Sequence, residues 1–225
     1  MTGPYRSRMI HELRRYAMRP GRRDTLISLF EREFIEAQEA TGMRVTGSFR
    51  EVGEPDTFPW LRSFPDMGTR KAALESFYGG PVWQANRDAA NATMLDSDDV
   101  LLLRPAGPEF PSRERPPVGA PIPSSLYVVT TYHVDGDDFA QLFHREAVPA
   151  LADAGVVPVA CLETEHAENT FPRLPVRAGV QVFVWFARFE TPEEEREVDL
   201  TMLERRFTAP PERLRLRPTS RSTLR

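Results

Sequence analysis

Glu12, Arg14 and Tyr16 stand at every second position of the stretch Met9 to Met18, and Phe58, Trp60, Arg62 and Phe64 do the same between Thr57 and Phe64. Alternate residues of a β-strand share one face, so each stretch presents a face on which charge and aromatic rings are interleaved. Arg14 and Arg62 can hold a carboxylate or an enolate, and Tyr16 can donate a proton. An arginine flanked by aromatic rings suits a flat anionic or aromatic ligand. Tyr16, Arg62 and Arg14 are therefore the candidate catalytic residues, with Glu12 and Trp60 as candidate substrate-binding residues. A plainer arrangement uses the same side chains. Glu12 can pair with Arg14, or with Arg62 across the sheet, beside a hydrogen-bonded tyrosine, because buried charges occur paired.

The elements that must position these residues come in duplicate. Phe30, Gly42 and Arg104-Pro105 recur as Phe143, Gly155 and Arg217-Pro218, each 113 positions later. Tyr16 recurs as Tyr132 and Trp60 as Trp185, which adds Tyr132 and Trp185 to the candidate ligand wall. The charged positions have changed: Val128 and Thr130 stand for Glu12 and Arg14, and Ala187 stands for Arg62. If both repeats line one pocket, the first carries the charge and the second an apolar wall, a combination that suits an amphipathic small molecule. The second repeat can equally be structural only.

Each repeat reads β-α-β-β-α-β. In the first, strands are expected at Met9–Met18, Val45–Val52, Thr57–Phe64 and Val100–Arg104. Leu26, Phe30, Phe34 and Ala37 mark a helix face by their spacing of three and four. A second helical region from Asp66 to about Leu95 is broken at Gly79-Gly80-Pro81. In the second repeat, strands are expected at Leu126–Val134, Val156–Thr164 and Gly179–Phe189, with a last one around Leu214 and Leu216. Pro149 should kink the helix that carries Phe139, Phe143 and Leu151. Thr191-Pro192-Glu193-Glu194-Glu195 predicts a second helix, with a capping threonine, a first-turn proline and acids against the helix dipole. The fold class is α+β: two tandem ferredoxin-like repeats, 9–105 and 125–218, whose sheets stack as a barrel within the chain or across a homodimer. On that fold Glu12, Arg14 and Tyr16 point into the barrel lumen if their face lines it. Residues 106–124 are rich in proline and read as an extended linker or a strap across a surface; if the protein works through a partner, removing residues 106–123 should leave it folded and lose that partner.

Several segments carry a family resemblance. Glu12-Leu13-Arg14-Arg15-Tyr16 followed by Pro20-Gly21 resembles the opening motif of the NIPSNAP family. Trp60-Leu61-Arg62-Ser63-Phe64-Pro65-Asp66 and Phe77-Tyr78-Gly79-Gly80-Pro81-Val82-Trp83 are similar to that family as well. In the second half, Asn169 to Arg177 and Phe183-Val184-Trp185-Phe186 resemble it too. The resemblance implies the dimeric α/β-barrel superfamily, which hosts cofactor-independent monooxygenases, polyketide cyclases, lactone isomerases and haem enzymes. It implies a fold more than a function.

Composition narrows the rest. A formal charge of −4 with no basic face gives no case for nucleic acid. A single cysteine, Cys161, allows no internal disulfide, which suits a reducing cytoplasm. No apolar run approaches a membrane span, and Met1 to Arg8 lack a signal-peptide core. His11, His133, His144 and His166 show no metal-ligand spacing, so no metal and no cofactor are called for, and nothing singles out a haem ligand. Two functions stand side by side. One is an enzyme without cofactor, acting on an aromatic or anionic small molecule by proton transfer, cyclisation or oxygenation. The other is a non-catalytic binding or interaction protein.

Overall fold

The computed structural model describes residues 9–225; the stretch Met1 to Arg8, read above for its lack of a signal-peptide core, lies outside them. The chain opens with β1 (Ile10–Met18), followed by a helix in three parts, α1 (Arg23–Leu29), a π-helical turn (Phe30–Phe34) and α2 (Ile35–Glu39). Then come β2 (Arg44–Glu51), β3 (Thr57–Phe64), α3 (Met67–Gly79), α4 (Pro81–Asn91), the short β4 (Met94–Asp96) and β5 (Val100–Pro105). The second half runs β6 (Leu126–His133), α5 (Phe139–Leu142), a π-helical turn (Phe143–Ala147), α6 (Val148–Asp153), β7 (Pro158–Thr164), β8 (Val182–Phe189) and β9 (Glu212–Pro218). The duplication reaches fine detail. Both π-turns begin at the repeated phenylalanine, Phe30 and Phe143, and the glycines that follow, Gly42 and Gly155, both have positive φ, +94° and +71°. The irregularity expected at Pro149 is the π-turn immediately before it.

All strand pairings are antiparallel, and the order β3-β2-β9-β6-β8-β7-β5-β1 is closed by β1 pairing back to β3. The barrel of eight strands thus closes within one chain, with β4 appended to β1. Two junctions join the repeats, β2 to β9 and β5 to β7, each a fourth strand of one repeat against a second strand of the other.

The barrel interior is a dry core shared by both repeats, in which Leu13, Phe49, Leu61, Leu103, Val129, Phe186 and Leu216 pack together. The face that carries Glu12, Arg14 and Tyr16 is the other one. It lies between the sheet and the helices, where Tyr16, Phe58 and Trp60 pack on Leu26, Phe30 and Phe34. The lumen orientation that the sequence suggested for Glu12, Arg14 and Tyr16 is therefore corrected. Both faces of a barrel strand are buried, and the large aromatic side chains of β1 and β3 find their partners on the helix layer.

The helix expected at Thr191 does not form. Thr191 has the extended backbone of a cap, but only the 3-10 turn Pro192–Glu194 follows, and Glu195 leaves it with ψ 132°. The Glu195 carboxylate accepts from Arg213 Nη2 at 2.8 Å and Arg215 Nε at 2.7 Å on β9. These ion pairs to the neighbouring strand replace the helix that the local start signal favours, and only a second 3-10 segment, Thr201–Arg206, comes after.

The proline-rich segment is a strap bound to the barrel. Phe110 sits edge-on to His11 and to Phe186 at the margin of the barrel core. Arg115 donates to Glu39, to the Val45 carbonyl and to the Arg221 carbonyl. These contacts tie the strap to the barrel surface, the second of the two forms the sequence allowed for it. The last residues, Thr219 to Leu224, are buried beside it: Ser48 bonds Thr219 and Ser222, and the Thr223 hydroxyl donates to the Thr46 carbonyl. Among the described residues no helix is long and apolar enough to cross a membrane.

Candidate functional site

The register of β1 on β3 opposes Glu12 to Arg62 and Arg14 to Trp60, and so assembles the first repeat's site. Glu12 is the hub. Its Oε2 accepts from Arg14 Nη1 at 2.7 Å and from Arg62 Nε at 2.6 Å, and its Oε1 accepts from Arg70 Nε at 2.7 Å. The carboxylate and all three guanidiniums are fully buried. Arg14 Nε donates to the Tyr16 hydroxyl at 3.0 Å, and Arg62 Nη1 donates to Gln38 Oε1 at 3.3 Å. The rings of Tyr16 and Trp60 lie 5.4 and 5.6 Å from the Arg14 guanidinium, within reach of a cation–π attraction. Both pairings of the plainer arrangement, Glu12 with Arg14 and Glu12 with Arg62, are present at once.

The electrostatics are unbalanced. Three cations face one anion, a surplus of two positive charges in a dry setting. Burial pushes the Glu12 carboxyl up, but Arg62, Arg14 and Arg70 outweigh it and hold the group well below the usual carboxylate range. Burial pulls the Arg70 guanidinium down, and repulsion from Arg62 and Arg14 adds to the fall against the pull of Glu12. Burial raises the Tyr16 phenol, which stays protonated at neutral pH, and Arg14 opposes the rise. Three donors in this cluster, Arg62 Nη2, Arg70 Nη2 and Trp60 Nε1, are buried with no hydrogen-bond partner among the described residues.

Part of this site comes from the other repeat. The connection between β7 and β8, residues 165–181, crosses onto the first repeat. Asn169 Oδ1 and Thr170 Oγ1 accept from Arg70 Nη1 at 3.0 and 3.2 Å, and Phe171 stacks on Tyr78. Beside the cluster, between sheet and helices, lies a crevice of about 40 Å³ lined by Tyr16, Gln38, Trp60, Tyr78 and Trp83. Sequence reasoning missed Arg70, Gln38 and Tyr78. A signal for the first was there: Arg70, Ala73, Leu74 and Phe77 form one buried stripe of α3, and a cation on such a stripe is a cation in the core.

The second repeat repeats the geometry without the charge. Val128 opposes Ala187 and Thr130 opposes Trp185, the same register as Glu12 with Arg62 and Arg14 with Trp60. Tyr132 and Trp185 keep the positions of their counterparts but not their contacts: Trp185 Nε1 donates to the Tyr132 hydroxyl at 3.4 Å, where Trp60 Nε1 has no partner among the described residues, and Tyr132 stacks on Phe207. These residues floor a separate cleft of about 350 Å³. The seven candidate residues thus fall into two sites rather than one: Glu12, Arg14, Tyr16, Trp60 and Arg62 in the first, Tyr132 and Trp185 in the second. The histidines lie elsewhere. His11 bonds Ser63, His133 contacts Glu212, and His144 bonds the Ala106 carbonyl. Burial pushes the Cys161 thiol up to about 12. Among the described residues no group of His, Cys, Asp and Glu is placed to hold a metal ion.

A closed antiparallel barrel with helices outside it, made from two ferredoxin-like halves, defines an α/β-barrel protein of the ferredoxin-like class. The NIPSNAP family model matches residues 11–107, the span that holds the first three of the resembling segments. Among solved structures the chain is similar to a candidate monooxygenase from Fusobacterium nucleatum, at 8% identity over 94% of this chain and 93% of that one, with a TM-score of 0.61. A second candidate monooxygenase, from Lactobacillus acidophilus, aligns at 12% identity over 93% of both chains with a TM-score of 0.57. A NIPSNAP-like domain protein from Burkholderia xenovorans aligns at 26% identity over 51% of this chain and 97% of that one, TM-score 0.41. At the identities of the two full-length matches the likeness is one of fold. No curated protein matches the chain significantly.

Proposed function

We propose that this protein binds a small anionic molecule with an aromatic body in the first repeat, between sheet and helices. The observation that carries this reading is the buried surplus of two positive charges with unpartnered donors on Arg62 and Arg70. Burying a charge costs several kcal/mol per ion unless it is compensated. A ligand carboxylate or enolate supplies the missing compensation, and the rings of Tyr16, Trp60 and Tyr78 supply its wall. Asn169 and Thr170 on Arg70 are the groups such an anion displaces, and movement of the 165–181 arm makes the room. In this frame Tyr16, a neutral phenol held by Arg14, is the proton donor to the bound anion, and Arg14 and Arg62 stabilise negative charge as it develops. The chemistry is proton transfer, cyclisation or oxygenation without a bound cofactor. The monooxygenase names of the two full-length matches are compatible with this range.

A second reading, non-catalytic, is favoured by the narrowness of the crevice, which makes the cluster a clamp between sheet, α3 and arm. Thermal unfolding with salicylate and with neutral salicylamide separates the two. An anion at a hundredfold its Kd adds about 2.7 kcal/mol, a rise of roughly 5–10 °C for a chain of this size. Salicylate should raise the midpoint, salicylamide should not, and Arg62→Met should abolish the rise. Equal responses to both compounds, or none to either, would overturn the anion reading.

A further inference from the structure

We infer that the second repeat holds a second, independent binding site, for a flat uncharged aromatic molecule, in the cleft over Val128, Thr130, Ala187, Tyr132 and Trp185. Three differences from the first repeat open this cleft, and each is visible in a different part of the chain. The first is in the sheet. Glu12, Arg14 and Arg62 fill the first repeat's site, and the smaller Val128, Thr130 and Ala187 take their places at the same register. The second is in the outer layer. The first repeat covers its sheet with α3, which delivers Arg70, whereas the second has only 3-10 turns after Thr191 and no arginine in that role. The third is in the connections. The arm 165–181 reaches over the first site, whereas its counterpart, residues 52–56, is a tight turn pinned to β9 by the Val52 N–H on the Arg215 carbonyl. The plug and the arm are missing and the roof is the segment 196–211, with its 3-10 turn, in place of a helix, while the tyrosine and tryptophan walls are kept. What remains is about 350 Å³ of open space, within the range of small-molecule sites.

The chemistry of the walls selects the ligand. The floor is apolar except for the Thr130 and Tyr132 hydroxyls and Arg213 of β9, which stands opposite Thr130. Trp185 and the Tyr132–Phe207 stack give flat surfaces, which favour a planar ring system. At the rim Glu197, Asp199 and Glu204 outnumber Arg196, and Arg213 is already held by Glu195 and Glu197 at 2.8 and 2.9 Å. An anion therefore meets a slightly negative rim, and the cation of the floor, Arg213, is already engaged by two glutamates, the reverse of the first site. The two sites sort ligands by charge.

The neutral naphthalene dye prodan is a suitable probe. Titrated into the full-length protein, it should bind one molecule per chain with blue-shifted emission and with energy transfer from tryptophan. Trp185→Phe should remove most of that transfer. Ala187→Phe fills the floor, and Val198→Trp narrows the mouth from a segment outside the sheet, so that one of the two remains informative if the other fails to fold. Each folded variant should weaken binding at least tenfold. Excess salicylate, the probe of the first site, should not displace the dye, so this inference stands or falls separately from the anion reading. Undiminished binding in a folded plug variant, displacement by salicylate, or tighter binding of the anionic 8-anilinonaphthalene-1-sulfonate at the same place would overturn it.

Discussion

Replacing Glu12 by glutamine tests whether the charge cluster is built around one carboxylate. The substitution keeps the shape and leaves three buried guanidiniums without an anion. Each contact is 2.6–2.7 Å between heavy atoms. At an effective dielectric of about 20, unit charges about 4 Å apart attract by about 4 kcal/mol, so the gross loss over three pairs is on the order of 12 kcal/mol. The amide keeps part of the hydrogen bonding, and removal of one partner of a single buried pair costs about 3–5 kcal/mol. A net loss of at least ~5 kcal/mol is expected, or roughly 10–20 °C in midpoint for a chain of this size. Arg70→Met should behave differently. It removes one surplus cation and one unpartnered donor, leaves Glu12 with two arginines, and should cost less than about 2 kcal/mol, because an uncompensated buried charge is itself destabilising. The acid limb gives a second readout. The folded Glu12 carboxyl lies well below its unfolded value of about 4.3. Its stabilisation is thus complete above that value and is lost as pH falls below it towards the folded value. Urea unfolding of both variants, with slopes compared, decides the matter. Glu12→Gln within about 1 kcal/mol of the parent, or Arg70→Met more damaging than Glu12→Gln, would refute the reasoning.

Two further outcomes are expected. Burial pushes the His11 imidazole down from 6.5 to about 4, so the unfolded chain takes up the proton first. Stability should fall by about 3 kcal/mol as pH drops from 6.5 to 4 and then cease to depend on this group. In His11→Gln the urea midpoint should lose that slope, and an unchanged slope would assign it elsewhere. A Cβ added at Gly47 would lie 2.6 Å from the Phe49 ring and 3.2 Å from the Leu224 side chain. Gly47→Ala should therefore lower stability by about 1–3 kcal/mol, measured by the same unfolding curves, and a neutral result would mean that the Phe49 ring shifts freely.

The pairing of Glu12 with Arg62 was legible because strand alternation and strand order fix which side chains meet across β1 and β3. Alternation could not say which face looks inward, since Leu13 and Glu12 are both buried, one in the barrel and one under the helices. Arg70 was hidden for a different reason. It reaches Glu12 from a helix 58 positions away, and no local pattern links a helix stripe to a particular strand face. Asn169 to Arg177 stood out as a motif of the second half, yet its contacts are made in the first, because the junction of β5 with β7 carries the arm across. The missing helix at Thr191 shows the limit of end signals. Capping and a first-turn proline start a turn, and two arginines on β9 decide how far it runs.

Closure of the barrel within one polypeptide has an evolutionary side. In a barrel made of two identical chains, every substitution is made twice, so a change that empties one half empties the other. The arginine clamp and the hollow cleft could not then coexist. Once the halves are covalently joined, one copy can retain a costly buried charge cluster while its twin discards it and keeps the space. The fused chain is in that sense two proteins sharing one scaffold, each free to specialise without the consent of the other.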